Sequence, residues 1–221
     1  MQNKLVQKWK ACVEFKNARP NPVLSICGPS GVGKTTTTKL LASDYPVFIE
    51  TTDGNPHLDR LLKGEANFNA MANQEWFLRR VERHIVIADR SLPLILDQDP
   101  AAIVLAYSRM FLDDGKISQR EYGLLLQRLL KIEEMVQAWR SPRVCLFLDA
   151  PADVLYERNL RNSGKSRTPP LEWFERIRDY FLRLFPCFPN AVSVSTVELA
   201  PELVLSRAKA LIIRRDQDGH T

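Results

Sequence analysis

Gly28-Pro29-Ser30-Gly31-Val32-Gly33-Lys34-Thr35 is the stretch that decides the fold of this chain. It reads as Gly, four free positions, then Gly-Lys-Thr, and it lies between the apolar run Val23 to Cys27 and a helical pattern that opens after Gly33. Glycines let the backbone curl until successive N–H groups face inward, and a helix that starts there adds the positive end of its dipole. Such a turn holds phosphates. Gly28, Ser30, Gly31, Val32, Gly33, Lys34, Thr35 and Thr36 are therefore the expected nucleotide-binding set. Lys34 is placed to reach the β and γ phosphates of a triphosphate such as ATP, and the Thr35 hydroxyl to ligand Mg²⁺.

Around this loop, short β-branched runs alternate with longer helical patterns, which predicts an α/β fold: a three-layer P-loop NTPase architecture with a parallel sheet and helices on both faces. Five strands are expected, at Val23 to Cys27, Val47 to Glu50, His84 to Asp89, Val144 to Asp149 and Ala191 to Ser195. Helices are expected after Gly33 and over Asn69 to Arg83, Ser118 to Trp139, Ala152 to Arg161, Leu171 to Leu184 and Pro201 to Ile213. Leucines at 124, 125, 126, 129 and 130 read as core packing of the long helix. The polar segment Asn162 to Pro170 contains Gly164, Pro169 and Pro170, breaks the helical pattern and is able to move. The chain reads as one domain over 1–221, with the polar tail 214–221 frayed.

Composition narrows the partners. At 221 residues with 45% apolar and 26% charged side chains, one well-cored domain is expected. The net charge of +5 is spread among acidic residues with no basic block, so a small polyanion accounts for it and nucleic acid is not an expected partner. Cys12, Cys27, Cys145 and Cys187 lie far apart without a CxxC pattern, which points to a reducing compartment. No signal peptide or membrane-spanning apolar run is read, so a cytoplasmic location is expected.

In an open α/β sheet the ligand sits beyond the carboxyl ends of the strands, and three acidic residues end apolar runs: Glu50, Asp89 and Asp149. A hydroxyl attacks poorly until its proton has somewhere to go, which makes Glu50 the candidate base. Asp89 is expected to hold Mg²⁺ through water, and Arg90 to neutralise charge between donor and acceptor. Asp149 precedes Ala-Pro and a helix, and reads equally as a site residue or as a tie for that turn.

Together the P-loop, Glu50, Gln74 in Asn-Gln-Glu-Trp-Phe-Leu, and Asp89-Arg90-Ser91 resemble the deoxynucleoside kinases. The likeness runs on through Phe111-Leu-Asp-Asp-Gly-Lys-Ile-Ser, Leu148-Asp-Ala-Pro-Ala-Asp and Pro170-Leu-Glu-Trp-Phe-Glu, over about residues 22–213. The resemblance implies transfer of the γ-phosphoryl group of ATP to the 5′-hydroxyl of a nucleoside. It implies that Glu50 takes the hydroxyl proton, Gln74 pairs with the nucleobase edge and Arg90 lies near the 5′ position. Arg158, Arg161 and Arg167 would belong to a lid over 158–169 that closes on the transferring phosphate. It also implies a homodimer formed through long helices. Trp76 and Phe77, beside Gln74 on the same helix, are candidates for stacking on the base, against ordinary core packing.

This chain departs from the family pattern in four places. Val81 stands where an arginine is usual, no proline follows Glu50, Arg161-Asn-Ser-Gly-Lys-Ser-Arg167 is looser than a tight Arg-Gly-Arg, and 92–100 reads as several residues longer than usual. Three other readings remain open at the level of sequence: a monophosphate kinase of the thymidylate kinase kind, a kinase of another small hydroxyl compound, and a regulatory ATP-binding switch.

Overall fold

A computed structural model of the chain describes residues 4–7, 9, 23–49, 54–58, 60, 65, 68–89, 91–137, 143–188, 190–197 and 199–217, with backbone only at 166 and 213–217. Glu50 and Arg90 lie outside the described residues, as do Cys12, the end of the expected long helix at Trp139 and the last four residues of the tail.

Five parallel strands form one sheet in the order β2-β3-β1-β4-β5. They are β1 (Val23–Cys27), β2 (Val47–Phe48), β3 (Leu94–Asp97), β4 (Arg143–Asp149) and β5 (Ala191–Ser195). The helices are α1 (Lys34–Leu41), α2 (Ala70–Ile87), α3 (Arg109–Asp113), α4 (Gln119–Gln137), α5 (Ala152–Ser163), α6 (Leu171–Leu184) and α7 (Pro201–Gln217). Alternation along the strands sorts the core onto two faces, as a sheet covered on both sides requires. Cys27, Leu96, Cys145 and Phe147 pack with α2, α4 and α6 on one face. Leu24, Ile26, Ile95 and Leu146 pack with Leu41, Leu155 and Ala208 on the other.

The expected strand at His84 to Asp89 is corrected. That run is the last turn of α2, because Leu78, Val81 and Ile85 recur at helical spacing and are buried, while Val86 and Ile87 face outward at 71% and 80% exposure. The third strand is instead Leu94–Asp97, inside the segment that read as an insertion, and all four of its residues are buried. It pairs with β1 so that Ile26 stands opposite Asp97. The last helix also runs on to Gln217, past its expected end at Ile213.

After β3 the chain enters a wide π-helical stretch, Ala102–Ser108, in which the Ser108 hydroxyl donates to the Ile103 carbonyl at 2.7 Å. Beneath it lies a buried ionic triad: the Arg143 guanidinium, 5% exposed, donates to both Asp99 and Glu133, which are 0% and 1% exposed. Burial pushes the Glu133 carboxyl above its ordinary range, with the Arg143 charge opposing it. Removing the only cation of this triad would strand two carboxyl groups in the core. Arg143→Met is therefore expected to lower the free energy of unfolding by about 3–5 kcal/mol, measured by urea titration.

Candidate active site

The phosphate loop leaves β1 through contacts that exclude any side chain. A Cβ on Gly28 would lie 2.3 Å from the Leu148 carbonyl oxygen, and one on Gly31 would lie 2.2 Å from Asn159 Nδ2, each at a positive φ (149° and 81°). Ser30 Oγ donates to Asn159 Oδ1 at 3.0 Å, and Asn159 Nδ2 donates to the Leu155 carbonyl at 2.8 Å, so α5 braces the loop from beneath. Lys34 Nζ donates to the Gly28 and Pro29 carbonyls at 2.8 and 3.0 Å, which keeps the ammonium at the loop mouth. The first turn of α1 carries no acidic residue to compete for its dipole.

Thr35 Oγ1 donates to Asp97 Oδ2 at 3.0 Å. The carboxylate beside the P-loop threonine is thus Asp97, at the end of β3. The expected metal role of Asp89 is corrected accordingly: Asp89 is exposed beyond α2, where it accepts the Ser91 N–H at 2.9 Å, and that bond holds its carboxyl below the ordinary range. The cause is the strand assignment, since a residue after a helix end does not reach the P-loop edge of the sheet. Asp149 is committed elsewhere, chelated by Arg178 through two bonds of 2.9 and 2.8 Å.

A cavity of about 620 Å³ runs from Ser30 and Lys34 at the loop to Asn73, Gln74 and Phe77 on α2. Ile103, Tyr107 and Phe111 form one further wall, and Thr168, Pro169 and Trp173 another. Gln74 is 3% exposed and lines this cavity. Beside it, Asn73 is fixed by a chain of bonds. Asn55 Oδ1 accepts the His57 and Leu58 N–H groups, so its amide donates to Asn73 Oδ1 at 2.9 Å and leaves the Asn73 amide nitrogen toward the cavity. Among the described lining residues the charged ones are Lys34, Lys116 and Arg167, all cationic, which suits a polyanionic ligand.

Three other expected residues are placed differently. Trp76 lies off the cavity, edge-on to Phe77 at 5.1 Å and beneath the Arg80 guanidinium at 4.9 Å; Phe77 is the aromatic on the wall. Arg158 turns away to β5, donating to Thr196 Oγ1 and to its carbonyl, both at 2.9 Å. Arg161 is exposed, and of the lid arginines only Arg167 lines the cavity. Adjacent helical residues point about 100° apart, so α5 cannot aim Asn159 at the P-loop and Arg158 at the same spot. Thr36 is exposed on α1.

The sequence matches the family model of the deoxynucleoside kinases over residues 24–213. The chain belongs to the deoxynucleoside kinase family. Solved structures agree on the fold. The deoxyadenosine kinase of M. mycoides with bound dCTP superposes with a TM-score of 0.69 at 14% identity, over 86% of this chain and 97% of that one. The same enzyme with bound dATP gives 0.66 at 17% identity, and with its products dCMP and dCDP 0.66 at 15%, at the same coverage. No protein of curated function matches the sequence. As a deoxynucleoside kinase family member the chain is an ATP-dependent phosphotransferase acting on a nucleoside hydroxyl.

Mg²⁺ belongs to that chemistry, and the donor set fits it. A hydroxyl and a carboxylate are the hard ligands it takes, with phosphates and water completing the shell. No group of three or more His, Cys, Asp or Glu gathers among the described residues to hold a metal by itself. Asp97→Asn is expected to raise the Mg²⁺ concentration for half-maximal turnover about 10–100-fold, while Asp89→Asn leaves it unchanged, in Mg²⁺ titrations of the kinase rate.

Proposed function

We propose that this kinase family member transfers the γ-phosphoryl group of ATP to the 5′-hydroxyl of a deoxynucleoside lying across the cavity, base toward Gln74 and sugar toward the P-loop. The observation that carries this reading is the single cavity that joins Lys34 and Ser30 to the buried amides of Asn73 and Gln74. The P-loop amides and Lys34 hold the triphosphate, and Thr35 and Asp97 hold Mg²⁺, which when bound offsets charge on the β and γ phosphates. Gln74 offers one donor and one acceptor, which matches the hydrogen-bonding edge of a nucleobase. Phe77 and Phe111 supply apolar wall for its faces.

Glu50, by its sequence resemblance, is the base. The 5′-oxygen forms a bond to the γ-phosphorus, the bond from that phosphorus to the β,γ-bridging oxygen breaks, ADP leaves and the proton passes to the Glu50 carboxylate. Arg90 owes its place beside the 5′ position to resemblance alone, and it directly follows Asp89, whose expected site role is corrected above. Arg167, the lid arginine that lines the cavity, takes the phosphate-side place in the lid instead of Arg158. Glu50→Gln is expected to lower turnover at least about a hundredfold with ATP affinity retained. A screen of nucleosides, nucleoside monophosphates and other hydroxyl compounds with labelled ATP tests the acceptor class. Turnover of monophosphates alone would replace this reading by the monophosphate kinase one.

A cytoplasmic homodimer is the setting we favour, without nucleic acid as partner. No helix among the described residues is long and apolar enough to cross a membrane. Leu124 on α4 is 48% exposed, and α2 presents Val86 and Ile87 to solvent, so both long helices carry apolar surface for a second copy. Val86→Glu with Ile87→Glu is expected to convert a dimer to a monomer in sedimentation velocity.

A further inference from the structure

Trp9 lies ahead of residues 24–213, the part of the chain that the family model matches, yet it is 0% exposed and the largest of the fully buried side chains described. Leu5 and Val6 before it pack against the same core. The Trp9 ring stands edge-on to Phe188 at 5.5 Å, and Phe188 lies against the Arg143 guanidinium at 6.0 Å. Two buried polar atoms in this place fall short of a normal hydrogen bond, Trp9 Nε1 and Glu133 Oε1. The indole N–H nevertheless draws the Glu133 pKa down against the effect of burial, so the donor faces that carboxyl. The two aromatics therefore cover the triad of Arg143, Glu133 and Asp99.

From the triad a constraint reaches the metal-side carboxylate over two residues. Asp99 is held by Arg143 and accepts the Ala101 N–H at 2.8 Å. Gln98 before it takes a φ of +104°, a region that favours glycine, while its N–H donates to the Ile26 carbonyl at 3.0 Å. Asp97 is next, bonded to Thr35. A backbone in so sparsely populated a region relaxes when one of its anchors lets go. Buried charges attract strongly only while water is excluded, so an opening above Glu133 and Arg143 would weaken the anchor at Asp99.

We infer that Trp9 is a positioning residue for the Mg²⁺ side of the site: by sealing the triad it keeps Asp99 paired with Arg143, and through the Gln98 turn it keeps Asp97 against Thr35. The segment ahead of the family domain thus acts on metal binding without touching substrate or metal. This inference rests on the assignment of Mg²⁺ to Thr35 and Asp97.

The test compares full-length Trp9→Leu, which opens the seal, with Trp9→Phe, which keeps a ring on Phe188 and loses only the N–H. Val204→Ala, in the core on the other face of the sheet, serves as the control for general loosening. Amide hydrogen exchange is followed without metal in peptides spanning 94–102, and Mg²⁺ affinity of the ADP complex by calorimetry. Trp9→Leu is expected to speed exchange in those peptides about tenfold and to weaken Mg²⁺ about tenfold, with affinity for metal-free ADP retained. Trp9→Phe is expected to shift both in the same direction by about threefold, and Val204→Ala neither. In the background of Asp97→Asn the Trp9 changes should add nothing further to the loss of Mg²⁺ affinity. Unchanged exchange and Mg²⁺ affinity in the Trp9 variants, equal shifts in Val204→Ala, or full additivity with Asp97→Asn overturns the inference. Unchanged Mg²⁺ affinity in Asp97→Asn alone overturns the metal assignment itself, and this link with it.

Discussion

The hydrogen bond from Thr35 to Asp97 joins the two parts on which the rest of the site depends. Thr35 belongs to the first turn of α1 and Asp97 to the end of β3, and the bond between them fixes the helix that receives phosphates against the strand that carries the metal-side carboxylate. It is possible only because β3 lies directly beside β1, with Ile26 opposite Asp97. Had the sheet placed another strand there, the P-loop would have kept its phosphates and lost its carboxylate. The same adjacency puts Gln98 over Ile26 and sends the following chain across the cavity.

Much of this was legible in the sequence and some was not. The P-loop, β1, β4, β5 and the covering helices could be read because glycine spacing and hydrophobic period agree at those places. The third strand was misread because His84-Ile-Val-Ile-Ala-Asp has a β-branched composition that favours a strand, while its outcome was set by continuation of the α2 stripe through Val81 and Ile85. Four-residue β3, buried on both faces, carries no alternation and fell inside the stretch 92–100 that reads as longer than the family's usual one. Asp97 and Gln98 were missed with it. Asn73 was missed for another reason: its importance comes from Asn55, eighteen residues earlier, and spacing on one helix cannot show that.

The buried triad explains how so constrained a turn persists. Arg143 enters from β4, Glu133 from α4 and Asp99 from the turn after β3, so three separate elements meet in one set of charge-assisted bonds. Charges this deep are costly to desolvate and are weak evidence for net stability. Their effect is positional. Any shift of Asp99 would unpair a buried charge, so the backbone at Gln98 is held in a conformation that glutamine alone would not choose.

The bonds around α5 set where this kinase can and cannot move. α5 is bonded at two neighbouring residues to two separate parts of the fold: Asn159 to Ser30 of the P-loop and Arg158 to Thr196 just past β5. A helix pinned at both places does not swing as a unit without breaking these part-buried hydrogen bonds. Beyond Ser163 the constraints change. Gly164 takes a positive φ of 76°, a single 3₁₀ turn spans Lys165–Arg167, and Thr168 bonds back within the same segment, its hydroxyl to the Gly164 carbonyl at 2.8 Å and its N–H to the Lys165 carbonyl at 3.4 Å. Arg167 rides on that short turn at the cavity wall. Closure of the proposed lid over a transferring phosphoryl group would therefore need only the segment between Gly164 and Pro170 to shift, with α5 as its fixed base.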